Sequence, residues 1–329
     1  MNQNAEAIVI LCSRLCVGEG IRPLEAREWS SLAQQLLELN LEPRDLLEFS
    51  REDFIGRLRY SPEQADRFLR LIDRSASLSF EINRYASMGI HLVTRADKAY
   101  PRRLKHKLGN ACPPIFYSAG DLELLEDPCA GYAGSREIGQ EDLDFTRKTV
   151  RKTIRKGFSV VSGGARGVDT AAETEALQYG SVAIVFLADS LARRIQKKDT
   201  LNAILDGRLL LLSPVKPEAG FQAGTAMARN KLIYCHSAGT VVVRSDLNTG
   251  GTWAGATECL KHQWSPVFCW SNPAYQGNMG LIERGAIPID GSWDGDAAAI
   301  PKAPETQSTE APEPEIKAFS GEQLNLFDL

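Results

Sequence analysis

Metal and disulfide chemistry have little to work with in this 329-residue chain. Its four histidines (His91, His106, His236 and His262) are scattered. None of its seven cysteines (Cys12, Cys16, Cys112, Cys129, Cys235, Cys259 and Cys269) forms a CxxC pair. The odd count and irregular spacing argue against a disulfide framework and fit reduced thiols in a cytoplasmic protein. Cys12 and Cys16 are one helical turn apart, but no nearby histidine completes a zinc set, so neither a metal nor a cofactor is expected. Excess charge of one sign is also missing from most of the chain. The full sequence carries 38 Lys+Arg and 42 Asp+Glu, yet the deficit of four falls entirely in residues 301–329, leaving residues 1–300 neutral. Net charge therefore gives no warrant for a nucleic-acid partner; a local basic face would have to supply it. Long apolar runs are absent as well. The early run from Ala7 to Leu11 has no basic segment before it, so no signal peptide is expected, and Val182 to Ala188 is too short to span a bilayer. No membrane association is expected.

What is present is ordinary globular material, 43% hydrophobic and 24% charged. Residues 1–95 read as a small helical domain. Leu32, Leu36 and Leu37, then Phe68, Leu69 and Ile72, recur at helical spacing, and Pro23, Pro43 and Pro62 fall near helix starts. The texture changes at about Asp97. Ile115 to Tyr117 reads as a short strand, and six further strands are predicted at Ala130–Ala133, Ser159–Val161, Val182–Leu187, Leu209–Leu212, Thr240–Val243 and Val267–Trp270. Helices are predicted between them at 138–156, 169–179, 198–206, 224–235 and 252–263. This alternation implies an α/β fold over residues 96–293, a Rossmann-like, doubly wound, mostly parallel sheet. Ligands of such sheets bind beyond the carboxyl ends of the strands. Residues 294–322 form an acidic, proline-bearing linker expected to be disordered.

Three segments near predicted strand ends carry anion-binding chemistry. Gly134, Ser135 and Arg136 follow the first core strand, where glycine permits close approach, serine offers a hydroxyl and arginine a planar fork for phosphate. A tight turn with a surface arginine is the plainer reading. Ser162, Gly163, Gly164, Ala165, Arg166, Gly167, Val168 and Asp169 put three glycines between strand and helix. The spacing is G-G-x-x-G, with no acidic residue about 20 positions on, so it is a phosphate nest rather than a dinucleotide fingerprint. Asp169 could equally cap the helix. The third segment pairs Arg229, Asn230 and Lys231 with Thr249, Gly250, Gly251 and Thr252 at the next helix start. Together the three favour a phosphate-bearing ligand, and no catalytic residue is assigned. The helix after the first loop also carries a basic stripe (Arg147, Lys148, Arg151, Lys152, Arg155 and Lys156), for which a solvated face is the simpler account.

These motifs, in this order, resemble the DNA-processing protein A (DprA/Smf) family. Tyr100-Pro101 with Leu104, then Pro114 to Tyr117 and Gly120, is similar to that family's entry to its Rossmann-like domain. Its V-G-S-R, S-G-x-A-x-G-[IV]-D and R-N-[RK]-[LI]-I signatures correspond to Ala133–Arg136, Ser162–Asp169 and Arg229–Ile233. The resemblance covers about residues 98–270 and implies single-stranded DNA binding in a basic pocket. It also implies loading of the RecA recombinase and self-association into homodimers. Arg136 would grip a phosphate, Ser162, Gly163 and Arg166 would shape the neighbouring loop, and Arg229, Asn230 and Lys231 would line or brace the pocket. The chain departs from the family at Glu173, where a histidine is usual, and in its glycine-richer turn at Thr249–Thr252.

Gln323-Leu324-Asn325-Leu326-Phe327 resembles the bacterial sliding-clamp-binding pentapeptide, so Gln323, Leu324, Leu326 and Phe327 would contact a clamp from the end of a flexible tether. A rival reading is a nucleotide sensor, possible in phage defence, or a phosphoribohydrolase of the wider superfamily that holds the Lonely Guy enzymes. Against the enzyme, Gly250-Gly251-Thr252 lacks that motif's intervening x-Gly, and Glu258 lies six residues past Thr252 where three are needed.

Overall fold

A computed structural model of the chain describes residues 2–299. The acidic segment from position 300 onward and the 323–329 peptide lie outside the described residues.

The first third is helical: α1 (Gln3–Cys12), α2 (Ala26–Glu38), α3 (Arg51–Gly56), α4 (Pro62–Asp73) and α5 (Ser75–Ser87). Local chemistry explains several of the boundaries. Ser61 accepts from the Gln64 amide at 3.3 Å while the Gln64 side chain accepts from the Ser61 amide at 3.1 Å, a reciprocal cap with Pro62 in the first turn. Ala65, Phe68 and Leu71 then form the buried stripe of α4. In contrast, α1 is apolar nearly all round, with seven of its ten residues buried, so the Ala7–Leu11 run is a core helix. Its carboxyl end is capped from afar: the buried Arg74 guanidinium donates to the carbonyls of Ile10 (2.5 Å), Ser13 (2.7 Å) and Leu15.

The rest of the described chain winds a nine-stranded sheet. Its elements are β1 (His91–Thr94), α6 (Arg102–Leu108), β2 (Ile115–Ala119), β3 (Cys129–Ala133), α7 (Gln140–Arg155), β4 (Ser159–Ser162), α8 (Val168–Gln178), β5 (Ala183–Phe186), α9 (Leu191–Arg194), α10 (Lys198–Leu205), β6 (Leu209–Ser213), α11 (Ala223–His236), β7 (Gly239–Val242), α12 (Gly250–His262), β8 (Val267–Trp270), α13 (Gln276–Glu283) and β9 (Ile287–Ile289). The spatial order is β1-β2-β6-β5-β4-β3-β7-β8-β9. β3 to β9 are mutually parallel, whereas β1 and β2 form an antiparallel edge against β6. The α/β, mostly parallel class follows from the alternating strands and crossover helices. Alternation did not reveal β1, α13 or β9, which are short and weakly apolar.

Alternate residues of each central strand serve opposite faces. Val160, Val185 and Leu211 pack with α1 and α7, while Val161, Ile184 and Leu210 pack with Leu232 and Ile233 of α11. From β3 the chain runs outward through β4, β5 and β6, then returns to lay β7 on the other side of β3. The strand order therefore reverses between β3 and β7, and the loops leaving their carboxyl ends diverge to opposite sides of a crevice. No helix among the described residues is long and apolar enough to cross a membrane.

Candidate phosphate-binding site

The loop after β3 is held from both sides. The Ser135 amide donates to the Arg244 carbonyl beyond β7 at 2.9 Å, and the Val168 amide at the start of α8 donates to the Ser135 carbonyl at 3.2 Å. Contact is close enough that side chains are excluded. A Cβ on Gly167, whose φ is +81°, would overlap the Ser135 and Arg136 backbone, and one on Gly134 would overlap Val168. Ser135 accepts from the Glu137 amide at 3.1 Å, so its hydroxyl helps to shape the turn. These contacts bring Arg136, Arg166 and Arg244 to one region at the reversal point.

The loop after β4 is tied down by Asp169. It is a staple within α8 and not the cap of that helix: its carboxylate accepts from the amides of Gly163 (3.1 Å) and Ala165 (3.4 Å), and Gly167 occupies the capping position. The same carboxylate lies 3.5 Å from the Arg229 guanidinium of α11. Arg229 is 4% exposed and lies directly on Gly163, where a Cβ would collide with it. Burial pulls the guanidinium below its ordinary value and pushes the Asp169 carboxyl up, each opposed by the partner's charge. Two guanidinium nitrogens of Arg229, Nε and Nη1, have no hydrogen-bond partner among the described residues. Ser162 is fully buried, and its hydroxyl oxygen is 3.5 Å from the Gly164 amide.

Two cavities flank these loops and share Arg136 and Arg166. The smaller, about 260 Å³, is lined by Arg136, Gly163, Gly164, Arg166 and Arg229, with Phe221 and Asp189 on its wall. The Arg136 guanidinium lies 4.8 Å from the centre of the half-exposed Phe221 ring. The larger cleft, about 870 Å³, is bounded by Arg136, Arg147, Arg166 and Arg244 together with Glu137 and Thr174. Neither Arg136 nor Arg166 has a carboxylate partner among the described residues.

The third predicted segment divides. Arg229 joins the smaller cavity, but Asn230 donates to the Gly251 carbonyl at 3.1 Å and Lys231 pairs with Glu258 at 2.8 Å. Asn230, Lys231, Thr249, Gly250, Gly251 and Thr252 line neither cavity; contacts between Asn230 and Gly251 and between Lys231 and Glu258 join α11 to α12. The reason is helical phase: Arg229 faces the sheet end, and the next two positions rotate away toward α12. Glu258 is correspondingly committed to Lys231. The basic stripe on α7 also divides. Arg147 borders the larger cleft, whereas Lys152 donates to the carbonyls of Gly291 and Trp293 and Lys156 pairs with Asp294. Glu173, the departure from the family pattern, pairs with Arg194 beneath Gly164.

Phe221, Asp189 and Arg244 were not selected from the sequence. Phe221 left a faint signal as an isolated aromatic before α11, and Arg244 as the first polar residue after the apolar strand β7.

The sequence profile of the family described as DNA recombination-mediator protein A matches residues 91–294. Protein Smf of Escherichia coli is 25% identical over 258 residues, an alignment covering 73% of this chain and 68% of that protein. DNA processing protein DprA of Streptococcus pneumoniae is 27% identical over 186 residues, 56% of this chain and 62% of that protein. The X-ray structure of the S. pneumoniae protein superposes with a TM-score of 0.62 at 22% identity, covering 81% of this chain and 95% of that one, a likeness of fold. The structure of DNA processing protein A from Helicobacter pylori, described for its single-stranded DNA binding mode, gives a TM-score of 0.50 at 27% identity over 61% of this chain and 90% of that one.

Proposed function

The chain belongs to the DNA recombination-mediator protein A family, and from that premise we propose that it binds single-stranded DNA through the Arg136–Arg166–Arg229 pocket. One observation carries the reading: three guanidiniums from separate elements converge on a glycine-lined hollow with an aromatic ring on its wall. Gly163 admits the Arg229 guanidinium against the backbone, Arg136 and Arg166 would meet a phosphate with charge not committed to a carboxylate, and Phe221 offers a face for a base. Asp169 and Asp189 temper the field, so the pocket keeps an excess of one positive charge over its near carboxylates.

The role we propose is that of a DNA-processing factor, not a catalyst, which assists the RecA recombinase, acts as a homodimer in the cytoplasm, and is drawn to replication sites by the 323–327 peptide. The family description supports recombination mediation, and the motif Gln323–Phe327 supports the clamp. We propose residues 1–95 and 96–293 as functional regions, although β1 of the first joins the sheet of the second, and 294–322 as a tether whose first residues, Asp294 to Ala297, are packed against the domain.

A titration of a labelled oligonucleotide at two salt concentrations tests the DNA reading. Arg136→Ala should weaken binding about tenfold and lower the slope of log affinity against log salt by about 0.7, one phosphate's worth for a single strand. Deleting 323–329 should leave that titration unchanged while abolishing clamp pull-down. Unchanged affinity in Arg136→Ala, or tighter binding of mononucleotides than of the oligonucleotide, overturns the assignment.

A further inference from the structure

The larger cleft is not accounted for by the pocket just assigned. It is about three times the volume and shares Arg136 and Arg166 with the smaller pocket as common lining. Its lining comes from five places: the loop after β3, the first half of α7, the loop after β4, α8 and Arg244 just beyond β7. Arg147 and Arg244, which take no part in the smaller pocket, both line it, the first from α7 and the second from beyond β7.

The charge balance is decisive. Glu175, buried under α7, lies 2.5 Å from Arg151 and 3.6 Å from Arg147, so two guanidiniums share one carboxylate. Asp142 lies 3.4 Å from Arg244 and also accepts from the Gly139 amide at 2.9 Å. Glu137 is the one carboxylate lining the cleft itself. Counting Arg136 and Arg166, five guanidiniums stand against three carboxylates, two of them buried beneath the surface. The exposed groups are thus mainly cationic, and the Thr174 hydroxyl adds a neutral donor. The apolar lining is limited to Ile138, Leu143 and Ala171 beside it, with no aromatic ring to grip a base. Spaced cations without a base-sized slot match a run of phosphodiesters better than a single nucleotide.

We propose that this cleft is a second subsite, which takes the sugar–phosphate backbone of the strand as it continues from the smaller pocket over Arg136 and Arg166. The inference rests on the reading of the smaller pocket given above. In it, Arg147 and Arg244 each contact a phosphate beyond the nucleotides held against Phe221.

The test compares a four-nucleotide with a twenty-nucleotide oligothymidylate on the full chain, for the parent protein and for Arg147→Gln and Arg244→Gln. Both variants should bind the longer probe about five- to tenfold more weakly, with the salt slope reduced by about 0.7 each, and should bind the shorter probe as the parent does. Equal loss on both probes would assign the residues a structural role and overturn the proposal. So would undiminished binding of the longer probe. Should Arg244→Gln fold poorly because Asp142 loses its partner, the half-exposed Arg147 supplies the independent variant. If the parent binds neither probe, the smaller pocket's assignment has failed; if it binds both and the variants show no length-selective loss, only the second subsite has.

Discussion

Single side chains here do their work by being placed where water cannot reach them. Arg229 shows this on the functional side: its partner is a buried carboxylate, and its flat face needs the bare backbone of Gly163. His236 shows it on the structural side. It is fully buried at the end of α11, edge-on to Phe186 at 5.6 Å, and neither ring nitrogen has a hydrogen-bond partner among the described residues. Burial holds the imidazole down at about 3, helped by the charges of Arg103 and Lys107. The unfolded chain binds a proton at this histidine below about 6.5 while the folded one does not, so the group's contribution is complete above 6.5 and is lost as pH falls toward 3. Unfolding free energies from urea titrations between pH 7 and 4 should fall with a slope of up to about 1.4 kcal/mol per pH unit from this group. His236→Met should flatten that part of the profile, and an unchanged slope would remove His236 as its source.

At the level of elements, the site is made by loops that lock one another. The first two segments drew notice in the sequence because glycine beside arginine at a strand end suits a phosphate, and the structure brings Arg136, Gly163, Gly164 and Arg166 to one cavity. The sequence could not say which members of a run of polar residues face inward. Arg229, Asn230 and Lys231 look alike in chemistry, yet helical rotation sends the first to the pocket and the other two to α12. The same applies along α7, where Arg147 reaches the cleft and Lys156 does not. Gly167 is the point at which the two loops meet, with φ +81° and no room for a Cβ beside Ser135. Gly167→Ala should destabilise the protein by about 1–3 kcal/mol through forced backbone strain. Hydrogen exchange should show the Val168 amide, which bonds to Ser135, losing protection more than amides in β5. Equal protection throughout would mean that the loops are held apart from this contact.

Across the whole molecule, one apolar cluster joins α1 to the sheet: Ile8 and Leu11 belong with Tyr117, Val160 and Leu211. Arg74 strengthens that junction by capping α1, and Ser13 meets the Tyr117 hydroxyl at 3.0 Å. Arg74→Met should leave several buried carbonyls unpaired and lower stability by at least about 2 kcal/mol. Because the core is shared, peptides from α1 and from β3 should lose hydrogen-exchange protection at the same denaturant concentration, in the parent and the variant alike; two separate midpoints would show the helical part unfolding alone. Alternating apolar strands and crossover helices sufficed to announce a parallel α/β sheet, since period and punctuation are local properties of the chain. The glycine-flanked arginines marked a candidate anion site for the same reason. Which arginines share a cavity, how far buried carboxylates offset them, and where Phe221 and Arg244 stand depended on residues distant in sequence meeting at the strand-order reversal. Long-range packing sets those distances, and no neighbour-to-neighbour pattern encodes them.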